Sequence, residues 1–182
     1  ATDSGTYIHV GPEIGVASTK AFTGQVTVLT MLALMISRVK GTIDQECSRK
    51  IAKHLLDLPA VLEEVLRLND RIADFSKIFT YAHNFIYLGR GYNYPTALEG
   101  ALKLKEISYI HSEAYAAGEL KHGTISLIED GTLVVALASW GDLFDKLMSN
   151  VKEVKARGAD VVGITTRSHG AELAKSVDSA IQ

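Results

Sequence analysis

The sequence predicts an α/β fold, a parallel sheet flanked by helices, on three observations. Runs at 84–89, 132–139 and 159–166 (NFIYLG, TLVVALAS, ADVVGITT) are apolar almost throughout, as strands buried on both faces are. Longer stretches between them, 94–110 and 141–158, carry apolar residues three and four apart, the helical period. Glycines close the first strand and the second helix, at GRG (89–91) and Gly158. Strands alternating with helices give a parallel sheet with right-handed crossovers, which holds ligands at the carboxyl ends of its strands.

Taken in order, residues 7–10 (YIHV) read as a short strand and GPEIG as the loop after it. Ser18 or Thr19 is placed to cap a helix running to about Arg38, closed by Lys40-Gly41. Residues 42–82 are rich in Leu, Lys, Arg and Glu, and read as two or three helices broken near Pro59 and Asn69. Strand and glycine turn follow at 84–91, a helix at 94–110, and a loop-like stretch, HSEAYAAGELKHGTIS, at 111–126. A strand at 132–139, a helix at 141–158 and a strand at 159–166 complete the pattern, with one more helix or loop at 169–177. GRG and the HGTIS region are expected near the ligand-binding rim.

The 182 residues suffice for one domain and part of another. A composition of 47% hydrophobic and 22% charged residues is ordinary for a folded protein. With 19 Lys and Arg against 21 Asp and Glu there is no basic stripe, so no nucleic-acid partner is expected. The single cysteine, Cys47, forbids an intrachain disulfide and fits a cytoplasmic location. Residues 1–6 are polar and lack Lys or Arg, so they do not read as a signal peptide. The longest apolar stretch, Val26 to Ile36, is broken by Thr27 and Thr30. It falls short of the roughly 20 residues that span a bilayer, so no membrane is expected. The chain opens without a methionine at the approach to a strand, and both ends are expected to be internal to a longer protein.

The helix at 94–110 is the most informative element. At about 100° per residue, Glu99, Lys103 and Glu106 fall within an arc of roughly 60°. On a solvent face such a ladder contributes a few tenths of a kcal/mol per pair. Leu98, Ala101, Leu102, Leu104, Ile107, Tyr109 and Ile110 cover most other directions, so the helix is expected to be buried on several sides. Buried carboxylates are paired or functional. A carboxylate beside a lysine suits proton abstraction next to a carbonyl, the cation stabilising the developing enolate.

Two further stretches carry polar groups. In 111–126, His122 lies between Lys121 and Gly123 and is the better acid–base candidate; His54 and His83 sit in ordinary helical surroundings. The spacing of His111, Glu113 and His122 matches no zinc pattern, so neither metal nor cofactor is expected. GPEIGVASTK (11–20) is a glycine-containing loop at a helix start, able to hold an anion or sugar hydroxyls, although spacing alone favours a plain helix cap by Ser18 or Thr19. GRG alone lacks the dinucleotide and P-loop patterns.

Read together, GPEIGVASTKAFTGQ and LGRGYNYPTALEGALKLKEISYIHSEAYAAGELKHG closely resemble the isomerase domain of the glutamine–fructose-6-phosphate aminotransferase family, built on the sugar isomerase (SIS) fold. The resemblance runs over essentially the whole chain. It implies a SIS-type parallel sheet flanked by helices. Residues 1–38 would end a first SIS subdomain, 39–70 would form a helical connection, and 71–182 would form most of a second. It implies that Glu106 moves a proton between C1 and C2 of the sugar imine, with Lys103 assisting. His122 would open the sugar ring, reaching the active site of the neighbouring subunit. Val16, Ala17 and Ser18 would line the sugar, with Glu99 and Arg90 on the substrate side. Implied partners are fructose 6-phosphate, glucosamine 6-phosphate, a second copy as a homodimer, and a glutaminase domain in the same parent chain.

The departures are specific. The family's Ser/Thr-rich phosphate loop, its carboxyl-terminal lysine tail and its glutaminase domain with a catalytic cysteine lie outside these 182 residues, and mid-chain Cys47 cannot stand in for that cysteine. Thr124 follows the His-Gly pair where relatives are expected to carry proline. The chain by itself is therefore expected to lack synthase activity. Competing readings are a non-catalytic sugar-phosphate sensor, a related SIS enzyme acting on another sugar phosphate, and a piece serving only dimerisation.

Overall fold

The computed structural model describes residues 3–139 and 141–182. The chain divides into two units, the first running to Thr80 and the second from Tyr81 to Gln182.

The first unit is helical: α1 (Lys20–Lys40), α2 (Gln45–Leu66) and α3 (Asn69–Ser76). α1 ends as expected. Gly41 adopts φ 66°, its N–H donates to Arg38 O, and Thr42 N–H donates to Ser37 O. This closure favours glycine because the left-handed residue carries no Cβ penalty. The start of α1 differs from expectation, since neither Ser18 nor Thr19 caps it. The Glu13 carboxylate reaches forward and accepts from Ala21 N at 2.9 Å, while Lys20 Nζ closes the same loop on Pro12 O at 2.7 Å. Hydrogen bonds from Ala21 and the Ser18 hydroxyl outweigh the opposing effect of desolvation and hold the Glu13 carboxyl below its ordinary value. The folded state thus binds this proton more weakly than the unfolded chain. Its contribution is full above the unfolded value and is lost as pH falls through the lower folded value. The protection factor of the Ala21 amide in hydrogen exchange is expected to fall over that acid window, and Glu13→Ala to remove it at neutral pH. Protection unchanged in the variant would refute this cap.

Three expectations are corrected here. Residues 7–10 form no strand: His9 turns to φ 51°, and the segment instead lies along α1, where a Cβ on Gly24 would come 2.7 Å from Val10 Cγ1. Pro59 sits inside α2 without breaking it. A proline removes one hydrogen bond and costs about 3 kcal/mol, which good helix formers on both sides can offset. α1, at 21 residues, is long and apolar enough to cross a membrane by length and composition alone. Thr27 and Thr30 do not interrupt it, because their hydroxyls donate to the Thr23 and Val26 carbonyls, each at 2.8 Å. Core helices of proteins that meet no membrane pass the same test.

The second unit is a five-stranded parallel sheet of order β2-β1-β3-β4-β5: β1 (Asn84–Gly89), β2 (His111–Ala116), β3 (Leu133–Ala138), β4 (Asp160–Thr165) and β5 (Ser179–Ile181). Three predicted strands are present. β2 and β5 were not expected. The inward residues of β2 are Ser112 and Ala114, too small to read as a buried strand, and β5 has only three residues. α4 (Asn93–Ser108) joins β1 to β2, α5 (Phe144–Lys155) joins β3 to β4, and the short α6 (Gly170–Leu173) precedes β5.

The core lies between the sheet and α5. Leu88, Val134, Ala136, Val161, Leu147, Val151 and Val154 are at most 2% exposed there. Each fully buried Leu or Val contributes about 1.5–3 kcal/mol. On the other face α4 meets the sheet through small residues: Ala97 and Ala101 are buried, and Gly100 abuts the Tyr87 ring. β1 connects to β2 on one side and pairs with β3 on the other. Its carboxyl end is therefore the point where strand order reverses, the crevice in which such sheets bind ligands.

Candidate active site

α4 starts at that crevice and is tied to it. Asn93 Nδ2 donates to Leu137 O at 3.0 Å, and Ser139 Oγ donates to Asn93 Oδ1 at 2.8 Å. Further along α4, toward the end that leads into β2, the ladder expected from the sequence is formed. Lys103 Nζ lies 2.6 Å from Glu106 Oε2 and 3.4 Å from Glu99 Oε1. The three side chains are 19%, 30% and 24% exposed, respectively. The hydrogen bond to Glu106 chiefly, then both carboxylate charges, raises the Lys103 ammonium above its ordinary value against partial desolvation. Lys103 therefore stays charged through neutral pH. Among the described residues, Glu106 Oε1 accepts no hydrogen bond. The pair thus presents one oxygen held by a cation and one open to a proton.

The expectation that α4 is buried on several sides is corrected. Leu98, Leu102 and Ile107 are 46%, 41% and 64% exposed. The helix touches the sheet through its smallest residues, and its larger apolar side chains point the other way.

The remaining expected residues fall in separate places. His122 ends a 3₁₀ segment, Ala117–His122, rather than a loop, and its ring is largely exposed with Nε2 4.0 Å from Glu119 Oε2. Arg90 follows β1 at the crevice and donates from Nη1 to Asn150 Oδ1 at 2.9 Å. Val16, Ala17 and Ser18 lie in the first unit, in the loop that Glu13 closes, with Val16 exposed. That loop's helix start already receives a carboxylate of its own. Sequence reasoning missed Glu13, Asn93 and Asn150. Asn150 left a signal, since it is a polar residue three positions after Leu147 on the apolar face of α5.

The geometry leaves the family open, and the comparison with known proteins supplies it. Residues 78–181 match the family model of the SIS domain. The chain belongs to the SIS-domain family. This SIS chain is 58% identical over all 182 residues to the glutamine–fructose-6-phosphate aminotransferase [isomerizing] of Bacteroides thetaiotaomicron, covering 30% of that protein. It is 46% identical over 176 residues, 97% of its length, to the protein of the same name from Thermococcus kodakarensis, of which it covers 29%. The C-terminal domain of glucosamine-fructose-6-phosphate aminotransferase from Francisella tularensis superposes with a TM-score of 0.89 at 40% identity. That match covers 95% of this chain and 48% of that one. The SIS chain thus spans under a third of the length of these curated relatives, and its parallel sheet flanked by helices is the SIS-type fold expected from the sequence.

Proposed function

We propose that this SIS chain is part of the isomerase half of an enzyme that makes glucosamine 6-phosphate from fructose 6-phosphate and glutamine-derived ammonia. The observation that carries the reading is the Lys103–Glu106 contact at 2.6 Å, next to a carboxylate oxygen left open. Glu106 takes the proton from C1 of the sugar imine and returns it to C2. The Lys103 ammonium holds one oxygen of that carboxylate and offsets negative charge as it develops. His122 opens the sugar ring in the active site of the neighbouring subunit of a homodimer. Val16, Ala17 and Ser18 line the sugar, with Glu99 and Arg90 on the substrate side.

In this reading residues 1–38 end one SIS subdomain, 39–70 connect, and 71–182 form most of the next. The glutaminase domain belongs to the same parent chain, and the location is the cytoplasm, with neither membrane nor nucleic acid as partner. A sensor built on the same fold needs the sugar loop but not the base, and the ladder favours the enzyme. Full-length protein carrying this segment is expected to form glucosamine 6-phosphate from fructose 6-phosphate and glutamine, while the 182-residue chain alone forms none even with ammonia supplied. Product from the isolated chain overturns the expected inactivity of the segment alone, and none from the full-length protein overturns the assignment.

A further inference from the structure

The 3₁₀ segment that carries His122 has two apolar anchors, Ala117 and Leu120, both fully buried. Two anchors three residues apart lie on one face of a 3₁₀ helix and turn that face inward, while polar contacts hold the backbone and side chains on either side of it. Those contacts start at Arg90. A Cβ built on Gly118 would lie 3.2 Å from Arg90 Nη2, so the guanidinium is packed against the backbone of the segment. The opposite arm of the guanidinium, Nη1, donates to Asn150 Oδ1 at 2.9 Å. Asn150 is only 7% exposed, and its Nδ2 lies 3.4 Å from Glu153 Oε2. Glu153 Oε1 receives Lys121 Nζ at 2.9 Å. The chain of contacts leaves the segment at residue 118 and returns to it at 121, beside His122.

We propose that Arg90 and Asn150 are positioning residues that set the orientation of His122. This rests on the reading of His122 as the ring-opening group. Arg suits the task because its rigid fork presses one arm against a backbone while the other makes a directed hydrogen bond. Asn suits the partner position because one amide accepts from Arg90 and donates toward Glu153, which fixes its orientation. An arginine at a sugar-phosphate crevice is otherwise read as an anion clamp. Here one arm is committed to a buried amide and the other packs against Gly118, so Arg90, although on the substrate side, acts through His122 and not on the sugar.

The test uses full-length enzyme carrying this segment, with Arg90→Met and Asn150→Leu made singly and in a His122→Ala background. Misplacing a reacting group by about 1 Å can cost up to 10²-fold. Each single variant is expected to lose about tenfold in kcat, with the KM for fructose 6-phosphate changed less than about twofold. Arg90→Lys, which keeps the charge but has only one arm, is expected to recover only part of the rate. In the His122→Ala background either substitution is expected to cost less than about twofold more, because residues acting through one group are not additive. If Arg90→Met fails to fold, Gly118→Ala pushes a methyl group against the same guanidinium, and the same non-additivity is expected. Equal losses in both backgrounds, or a rise in KM in place of a fall in kcat, overturn the proposal and make Arg90 a direct sugar contact. If His122→Ala itself costs nothing, the underlying role of His122 fails and the proposal falls with it. If Glu106→Gln leaves turnover intact, it is the proton-transfer reading that fails.

Discussion

Glu106→Gln, in full-length enzyme carrying this segment, is expected to abolish solvent deuterium exchange into glucosamine 6-phosphate while the sugar still binds. Glutamine has nearly the shape of glutamate and keeps a carbonyl oxygen for the Lys103 ammonium, 2.6 Å away in the native pair. It removes only the basicity. A positioned base contributes about 10²–10⁴-fold, and a neutral amide supplies none of it, so exchange should drop into that range or below detection. Sugar affinity, followed by isothermal titration, should change far less, because the side chain's volume and its link to α4 remain. Glu99→Gln is expected to be milder. Glu99 lies 3.4 Å from Lys103, and the closer partner Glu106 still holds the ammonium. Unchanged exchange in Glu106→Gln would place the base elsewhere and reopen the sensor reading for this helix.

The parts of the fold that were legible in the sequence are those in which side-chain size reported burial. β3 is buried along its whole length and is Leu, Val and Ala throughout; β4 is nearly so. α5 shows its apolar stripe at 144, 147, 148, 151 and 154. β2 was not legible because Ser112 and Ala114 are buried by a helix lying close above them, and close approach selects small residues over β-branched ones. The ladder was legible because it is local: 99, 103 and 106 share a face in any helix. Its degree of burial was not, since that depends on which face of α4 meets the sheet. The same holds for Glu13, which reaches eight residues along the chain to Ala21, and for Arg90, whose partner lies 60 residues away. Helical period contains neither contact. The corrections at 7–10 and at Pro59 share a cause as well. A strand needs a neighbour that a short apolar run cannot announce, and one proline is outweighed by many good helix formers.

The largest effect expected on folding comes from one methyl group at the join between the sheet and the helix that carries the ladder. A Cβ at Gly89 would lie 2.4 Å from Asn93 O, 2.6 Å from Asn93 C and 2.7 Å from Tyr94 N. All three are backbone atoms of the first turn of α4, so no side chain can swing aside. Gly89 is also paired on both sides, with Ala116 and Leu137, so β1 cannot withdraw without breaking the sheet at its centre. The strain must lift the start of α4 and stretch the Asn93 bonds to Leu137 and Ser139. Overpacking costs about 1–3 kcal/mol, and a clash confined to backbone belongs at the upper end. At roughly 4–8 °C per kcal/mol for a unit of about 100 residues, Gly89→Ala should lower Tm by at least about 10 °C in calorimetry. Gly100→Ala is the contrast. Its methyl group would meet the Tyr87 ring at 3.0 Å, and a ring edge can yield where a backbone cannot. A Gly89→Ala chain with native Tm would mean that α4 slides freely over the sheet. In that case the placement of Glu106 could not depend on this contact. If Tm falls as expected, the full-length enzyme bearing Gly89→Ala should lose exchange at C1 and C2 with every ladder residue intact, since the turn that clashes is the one that sets where α4 begins.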